Sequence, residues 1–522
     1  MRTPHLTSTS CVALTLFTAA FACSDTSATS NANDASSNGS GSSGSSGADA
    51  AVDGALQTGP LKVDAGKDQV LNGPLDKLTL TATASGEGSA SASFEWTQVT
   101  GTTTSLAGAQ TASLTASGLA LGTFAFRVTA RSASGASASD EVTITVLSDA
   151  TSCKGTTFYV SPTGNDQNDG TQGAPWATLA KATAATKSAG STIHLAVGTY
   201  VEHAVSELAP GVCIEGEGVG TVIKSSLTAD WTPIIHATSP EGTDGHQHIS
   251  NLKLDGQNLS TFWAIEFAGR KNVSIHDVTV VDFKDRGVII NGRNDNQYKA
   301  PSIYATGISF YNNTVLNSAA YNTANGVYGR GCLNVGGTEG MVIFGNTITQ
   351  DQRPVGFNGW PIKGMNDGHN RGLKIYNNKL TKIPFSGAYG GDGGWDFAVE
   401  MFWDEGTEFY GNEVRGAGFD TNFQYKGSYP YSVWIHDNTF TLPSAMASSN
   451  AAITLEFDTD GAIVENNVID KMSNCVLFTP RPGNKISNVV IRKNVCTHVG
   501  KTTGNGSNAS FIILGPGEVV AL

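Results

Sequence analysis

Lys363, Asp396, Glu400, Lys426 and Glu456 stand in short runs that alternate apolar and polar residues, in the second half of this 522-residue chain. Such alternation is the pattern of a strand with one covered face. Placing Leu333, Ile362, Val399, Met401, Phe423, Tyr425, Leu455 and Phe457 inward turns Asn334, Lys363, Asp396, Glu400, Gln424, Lys426, Glu456 and Asp458 outward. Residues two apart on a strand share a face, and equivalent residues on stacked strands stand about 4.8 Å apart. Lys363, Glu400, Gln424 or Lys426, and Glu456 would then form a short ladder of mixed charge, with Asp396 on the same face as Glu400. Carboxylates this close perturb one another's pKa, which proton-transfer chemistry exploits.

Two reactions fit such a ladder. In an elimination, Lys363 or Lys426 abstracts the proton next to a uronic carboxylate. That carboxylate must be neutralised by Ca²⁺ held on Asp396, Glu400 and Glu456, or by a cation such as Arg330. In a hydrolysis, Glu400 with Asp396 or Glu456 acts as acid and base across a glycosidic bond. Against both stands ordinary Lys/Glu pairing on a solvated sheet.

The surroundings are aromatic: Trp360, Trp395, Trp403 and Trp434 fall close together with Tyr389, Phe402, Tyr429 and Tyr431. Sugar rings stack on exposed aromatics. Trp360, Trp395, Trp403 and Tyr389, with Arg330 and Asn334, are therefore the substrate-binding candidates, although Trp403 and Trp434 suit core or corner packing equally. The loop Tyr389-Gly390-Gly391-Asp392-Gly393-Gly394-Trp395 lacks the strand–loop–helix context of a phosphate-binding loop. His369, beside Asp367 in a polar turn, reads as solvated. Asn165-Asp166-Gln167-Asn168-Asp169-Gly170 reads as a polar turn, because it lacks the distal Glu of a Ca²⁺-binding loop.

The elements that must position these residues announce themselves by repetition. An apolar-x-apolar-x-x-Asn-x-apolar pattern recurs with its Asn at positions 313, 346, 378, 412, 438, 467 and 494. Val278 takes the Asn slot in the Val273–Val280 copy. Repeats of this length that each form one coil stack into a solenoid, here an all-β, right-handed parallel β-helix. The Asn belong to the stacked bend and are structural. Coils between 313 and 412 are longer than later ones, which places groove-building loops at 320–410.

The domain opens with Phe158-Tyr159-Val160-Ser161-Pro162-Thr163-Gly164-Asn165-Asp166, Ala174-Pro175-Trp176, an Ala-rich amphipathic stretch from Thr178 to Ala189, and Gly198-Thr199-Tyr200. This order resembles the start of pectate-lyase-type β-helices, in which a short helix covers the open end of the stack. A cap is physically required, since the first coil would otherwise expose an edge of unpaired backbone groups. The resemblance implies a polysaccharide lyase that cleaves a uronic-acid polymer by β-elimination. Neither the full catalytic pattern of one lyase family nor the Asp-rich motifs of polygalacturonases is present. A hydrolase, a polymer epimerase and a non-catalytic carbohydrate-binding or adhesion protein remain alternatives.

Residues 153–522 form this domain. Residues 59–149 carry about seven short alternating runs, the pattern of a β-sandwich. Val63-Asp64-Ala65-Gly66-Lys67-Asp68-Gln69, Trp96-Thr97-Gln98 and Gly122-Thr123-Phe124-Ala125-Phe126-Arg127-Val128 resemble polycystic-kidney-disease-type (PKD) immunoglobulin-like domains. That resemblance implies a spacer or an accessory binding module. Residues 1–22 read as an export signal and Cys23 as a lipidation site. Residues 23–58, rich in Ser and Gly, read as a disordered tether. The expected location is the bacterial cell envelope or outside the cell, with membrane contact through a lipid anchor alone.

The net charge of −13 offers no basic patch for nucleic acid. A monomer is expected, with a polysaccharide as its partner. Of seven Cys, Cys153 and Cys213 are the pair to test, and buried thiols are expected for most of the rest. No polar cap is evident after Phe511-Ile512-Ile513-Leu514.

Overall fold

The computed structural model describes residues 59–522 apart from 74, 102, 120–121, 149–152, 294–298, 319–329, 351–358, 365–367, 383–396, 443–450, 473, 498–510, 514–517 and 521–522. The proposed signal, Cys23 and the tether lie outside the described residues, as do Tyr389, Trp395, Asp396 and much of the expected groove loops.

From Thr157 onward, 32 strands join into one continuous sheet that winds about its own axis. Strand pairings along it are parallel, each strand meeting its counterpart one coil later. Inward rows fill the bore, one of them formed by Leu333, Ile362, Val399, Phe419 and Ile453, which pair in sequence and are fully buried. This is the right-handed parallel β-helix that the repeat predicts.

The repeated Asn form the bend, and they explain why the coils keep register. Asn378 is typical. Its backbone N–H and its Nδ2 both donate to Asn412 Oδ1, at 3.0 and 3.0 Å, and its Nδ2 also reaches Ile343 O at 3.0 Å. The same pattern links Asn313 to Asn346, Asn412 to Asn438, Asn438 to Asn467 and Asn467 to Asn494. An Asn has a donor and an acceptor on one short side chain, so a stack of them satisfies the buried bend without water. The residue before several of these Asn is left-handed, as at Asn312, Asn377, Asp437, Asn466 and Lys493, which Asn and Asp tolerate better than most.

The helix Leu179–Ala185 covers the first coil. Thr178 caps it by accepting from Lys181 N at 3.1 Å, and Glu202 accepts from Leu179 N and Ala180 N at 2.8 and 2.9 Å. The Asn165–Gly170 segment is the polar turn expected: Asn165 accepts from Gln167 N, and Asp166 from Ala177 N and Thr178 N.

The sandwich has one sheet of Gln69–Gly73, Ser137–Ser148, Gly122–Arg131 and Ser93–Thr100, and another of Leu75–Thr81, Ser113–Leu119 and Ser105–Ala107. Trp96, Leu114, Phe126, Val128 and Ile144 fill its core. It is not a free spacer. Leu147 packs with Val342, Phe344, Tyr376 and Tyr410 of the β-helix, and the Thr145 and Tyr376 hydroxyls meet at 2.7 Å. Those rings belong to a stack of one residue per coil, His276, Tyr311, Phe344, Tyr376, Tyr410 and His436, with centroids 4.8–5.0 Å apart.

Cys153 and Cys213 form a disulfide. Cys475 and Cys496, expected as thiols, form a second, because adjacent coils bring residues 21 apart in sequence side by side. Cys332 is a buried thiol that donates to Ser318 O and Gln350 Oε1.

Candidate functional site

One outward column runs along the sheet of the second strands. Glu207, His236, Glu266, Ile289, Asn334, Lys363, Glu400, Asp420 and Thr454 pair in that order, each with the next. A parallel column two residues further along pairs Phe402, Asn422, Glu456 and Thr479. Lys363, Glu400, Asp420, Asn422 and Glu456 therefore meet on neighbouring rungs, about 4.8 Å per coil. Lys363 Nζ ion-pairs with Glu400 Oε2. Asn422 Nδ2 donates to Asp420 Oδ2 at 2.6 Å. Arg481 donates to Glu456 Oε1 at 2.7 Å.

The cluster is deeply buried: Asp420 is 0% exposed and Lys363 2%, while Glu400 and Glu456 keep 6% and 5%. Burial disfavours the charged form of every member. It pushes the Asp420 carboxyl well above the carboxylate range, and the charges of Glu456 and Glu400 push it further, against the pull of Lys363 and Asn422. Burial likewise raises Glu456, opposed chiefly by Arg481. It lowers Lys363, opposed chiefly by Glu400. Both Asp420 and Glu456 are thus pushed towards their neutral forms beside Glu400.

Several expected residues stand elsewhere. Lys426 is off the ladder: it lies in the turn after strand Gly418–Gln424, where its side chain fills the space a Cβ on Gly461 would occupy. Gln424 pairs with Thr459 and is buried. Inside/outside parity along this strand is as expected up to Asn422, where the register shifts, but the rung differs from the expected one by four residues, so Asp420 stands beside Glu400. Phe423 and Phe457, expected inward, leave the sheet through left-handed backbones (φ 56 and 55°), and Tyr425 is exposed. Trp360 is buried beneath Lys363, whose Nζ stands 4.7 Å from its ring centroid, rather than open to a ligand. Asn334 is buried and accepts from Gly331 N at 2.9 Å, a structural bond. Arg330 ion-pairs with buried Asp285, not with anything in the carboxylate cluster. Of the three carboxylates offered for Ca²⁺, Glu400 ion-pairs with Lys363 and Glu456 with Arg481, and Asp396 lies outside the described residues.

Trp403 belongs to a half-buried stack, His369, Trp403, Phe423 and Phe457, with centroids 6.0, 4.0 and 4.6 Å apart. All four have positive φ, which is strained for bulky residues. Their faces are turned to one another, and Arg481 covers Phe457 at 4.3 Å. The stack runs beside the carboxylate cluster, since Phe423 and Phe457 directly follow Asn422 and Glu456. Burial, Arg293 and Arg371 lower the pKa of His369. Trp434 donates to Glu465 Oε1 at 3.0 Å.

Sequence reasoning missed Asp420, Asn422 and Arg481. The first two were legible in the alternation of Gly-Phe-Asp-Thr-Asn-Phe; Arg481 lies between the Asn467 and Asn494 repeats, just after strand Asn474–Thr479, and carries no periodic signal. A separate group, Cys153, Cys213 and His248, brings three ligand atoms within 4.8 Å, but the two sulfurs are joined to each other.

Residues 65–146 match a family model described as a PKD domain. The sandwich is a PKD-type domain. Residues 162–391, within the β-helix, match a family described as a protein of unknown function, DUF1565. No curated protein matches the chain. Among solved structures, the PKD domain from KIAA 1837 protein is 29% identical over 21% of this chain and 95% of its own, with a TM-score of 0.15. The GH136 lacto-N-biosidase from Eubacterium ramulus is 12% identical over 67% of this chain and 68% of its own, with a TM-score of 0.41. The alginate lyase from Paenibacillus sp. str. FPU-7 is 14% identical over 62% and 97%, with a TM-score of 0.34. At this level of likeness these neighbours assign neither reaction nor substrate to the chain.

Proposed function

We propose that this chain is an exported glycoside hydrolase acting on a polysaccharide. The observation that carries the reading is the placement of Asp420 one rung from Glu400, with burial and neighbouring carboxylates raising the Asp420 pKa. Hydrolysis of a glycosidic bond needs one carboxyl that keeps its proton and one carboxylate that does not. Lys363 ion-pairs with Glu400 and so supplies a counter-charge for the second. Glu400 is the nucleophile or base, and the Asp420–Glu456 pair is the acid. A one-rung spacing of about 4.8 Å is near the separation of about 5–5.5 Å that accompanies retention of configuration. Glu400 and Glu456 are the members that reach solvent, so a sugar meets the cluster along that edge.

A lyase is the second reading, favoured by the lowered pKa of Lys363, which suits a proton acceptor. It asks more of the site. The Lys363 ammonium is engaged by Glu400 and covered by Trp360 and Phe402, and a uronate would enter a cluster of three carboxylates. Ca²⁺ on Glu400 and Glu456 would have to compete with Lys363 and Arg481.

Export is supported by the two disulfides, which persist in oxidising compartments, and by the signal-like residues 1–22. Lipid attachment at Cys23 would tether the enzyme to the envelope. The test is depolymerisation of acidic and neutral polysaccharides by the full chain, following reducing ends and ultraviolet absorbance together, with Ca²⁺ or chelator. Reducing ends without absorbance support the hydrolase; absorbance that rises with them, and falls in chelator, replaces it with the metal-assisted lyase. Neither signal on any polymer overturns both and leaves the cluster structural.

A further inference from the structure

About five coils before Asp420 along the same polar column lies a second, differently built surface. Trp231 is 64% exposed, the one tryptophan so exposed among the described residues. Its backbone is left-handed, at φ 65°, a conformation that bulky residues adopt only where the surroundings impose it. Its neighbours hold it there. Trp263 meets it at 78° and 5.8 Å, and Phe262 at 54° and 5.3 Å, so these rings brace it by steep contacts rather than by covering it flat. The Arg330 guanidinium stands 5.8 Å from its centroid.

The supports beneath are charged and largely buried. Asp285, fully buried, pairs with Arg286 at 2.9 Å and with Arg330. Arg286 also lies over Trp263 at 5.7 Å. Trp263 and Arg286 are register partners at the start of the strands that carry Glu266 and Ile289, and these two belong to the column ending in Lys363, Glu400 and Asp420. Glu266 to Asp420 spans five rungs, about 24 Å, along the direction in which the coils stack. That is the length of a short oligosaccharide.

We propose that Trp231, with Arg330 and Arg286, is a remote binding subsite for a pyranose ring of the same polymer whose bond is cleaved at Glu400 and Asp420. The ring stacks on the exposed face of Trp231. Arg286 and Arg330, paired with Asp285 and with side chains 12% and 10% exposed, form the cationic floor of this subsite, which favours an oxygen-rich ligand over an apolar one. A chain held at both places must lie along the β-helix axis. The inference deepens the proposed function and rests on it for the identity of the ligand, a polysaccharide.

The test is affinity electrophoresis of the full chain in native gels cast with polygalacturonate, alginate or dextran. Wild type, Trp231→Ala and Trp231→Phe are run alongside Glu400→Gln, which removes turnover. Trp231 is largely in solvent, so its replacement leaves the melting transition in place, which a thermal scan verifies. We expect retardation by at least one polymer, about tenfold weaker for Trp231→Ala and near normal for Trp231→Phe. Equal retardation of wild type and Trp231→Ala overturns the subsite, as does absence of retardation by all three polymers. Trp231-dependent retardation without any bond cleavage upholds the subsite while the hydrolase reading fails, so the two failures are distinguishable.

Discussion

Asp420 stands directly opposite Glu400 across adjacent coils, and Asn422, two residues on, donates to Asp420 Oδ2 at 2.6 Å. That bond favours the ionised form and so lowers the Asp420 pKa against the larger effect of burial. Asn422→Ala removes it. The pair then keeps its proton to higher pH, and the alkaline limb of the pH–rate profile moves up by about one unit. An unchanged or downward-shifted limb would separate Asp420 from the rate-limiting proton transfer.

Lys363 and Glu400 form a buried ion pair. Removing one partner strands the other charge in the interior. Lys363→Met is expected to cost about 3–5 kcal/mol in urea unfolding, with most of the loss recovered in Lys363→Met/Glu400→Met, where neither charge remains. A double variant as unstable as the single would mean that the pair's geometry, not its charge balance, sustains the coil.

Asp404 occupies an Asn-like place in a second turn ladder. Its Oδ1 accepts from Asn370 N and Nδ2 at 2.7 and 3.0 Å, while its Oδ2 is buried with no donor among the described residues. Burial pushes its pKa up to about 7. The folded state therefore binds a proton that the unfolded chain releases near the ordinary carboxylate value, and stability is lost as pH rises from that value through about 7. Asp404→Asn removes this slope. The variant is expected to match wild type in acid and to melt at a higher temperature above neutral pH. Parallel melting curves across the whole range would contradict the assignment.

The Asn bend makes a graded prediction. Asn412→Ala strips an acceptor from Asn378 and donors to Ile375 O and Asn438, all buried, at about 1–3 kcal/mol for each polar group left unsatisfied. Asn494→Ala, at the solvent-facing end of the ladder, is expected to cost clearly less. Equal costs in denaturant unfolding would mean that the bend is not held cooperatively.

The bend and the solenoid were legible because seven successive coils repeat the same Asn and apolar frame, which chance does not produce. The carboxylate cluster was legible only in part. Lys363, Glu400 and Glu456 stood out as charges on the outward parity of their strands. Asp420 did not, because the segment between each Asn and the next strand varies in length, so the repeat does not carry register across it. A shift of four preserves parity, and Gln424 and Lys426 looked as suitable as Asp420. The conversion of Phe423 and Phe457 into a surface stack was not legible at all, since only a left-handed backbone takes them out of the apolar frame. The docking of the PKD-type domain also escaped pattern reading. Its contact residues, Thr145 and Leu147, belong to an ordinary strand and show their role only against Tyr376 and Phe344.

The central claim is that Asp420 and Glu400 together perform the cleavage. The most direct measurement compares reducing-end release by wild type, Asp420→Asn and Glu400→Gln on the polymer that wild type degrades, with unfolding curves confirming that each variant is folded. The account predicts loss of at least about a hundredfold for each single change, with no further loss in the double variant, because the two carboxyls act as one unit. Wild-type turnover in folded Asp420→Asn would contradict it and return the cluster to a structural role.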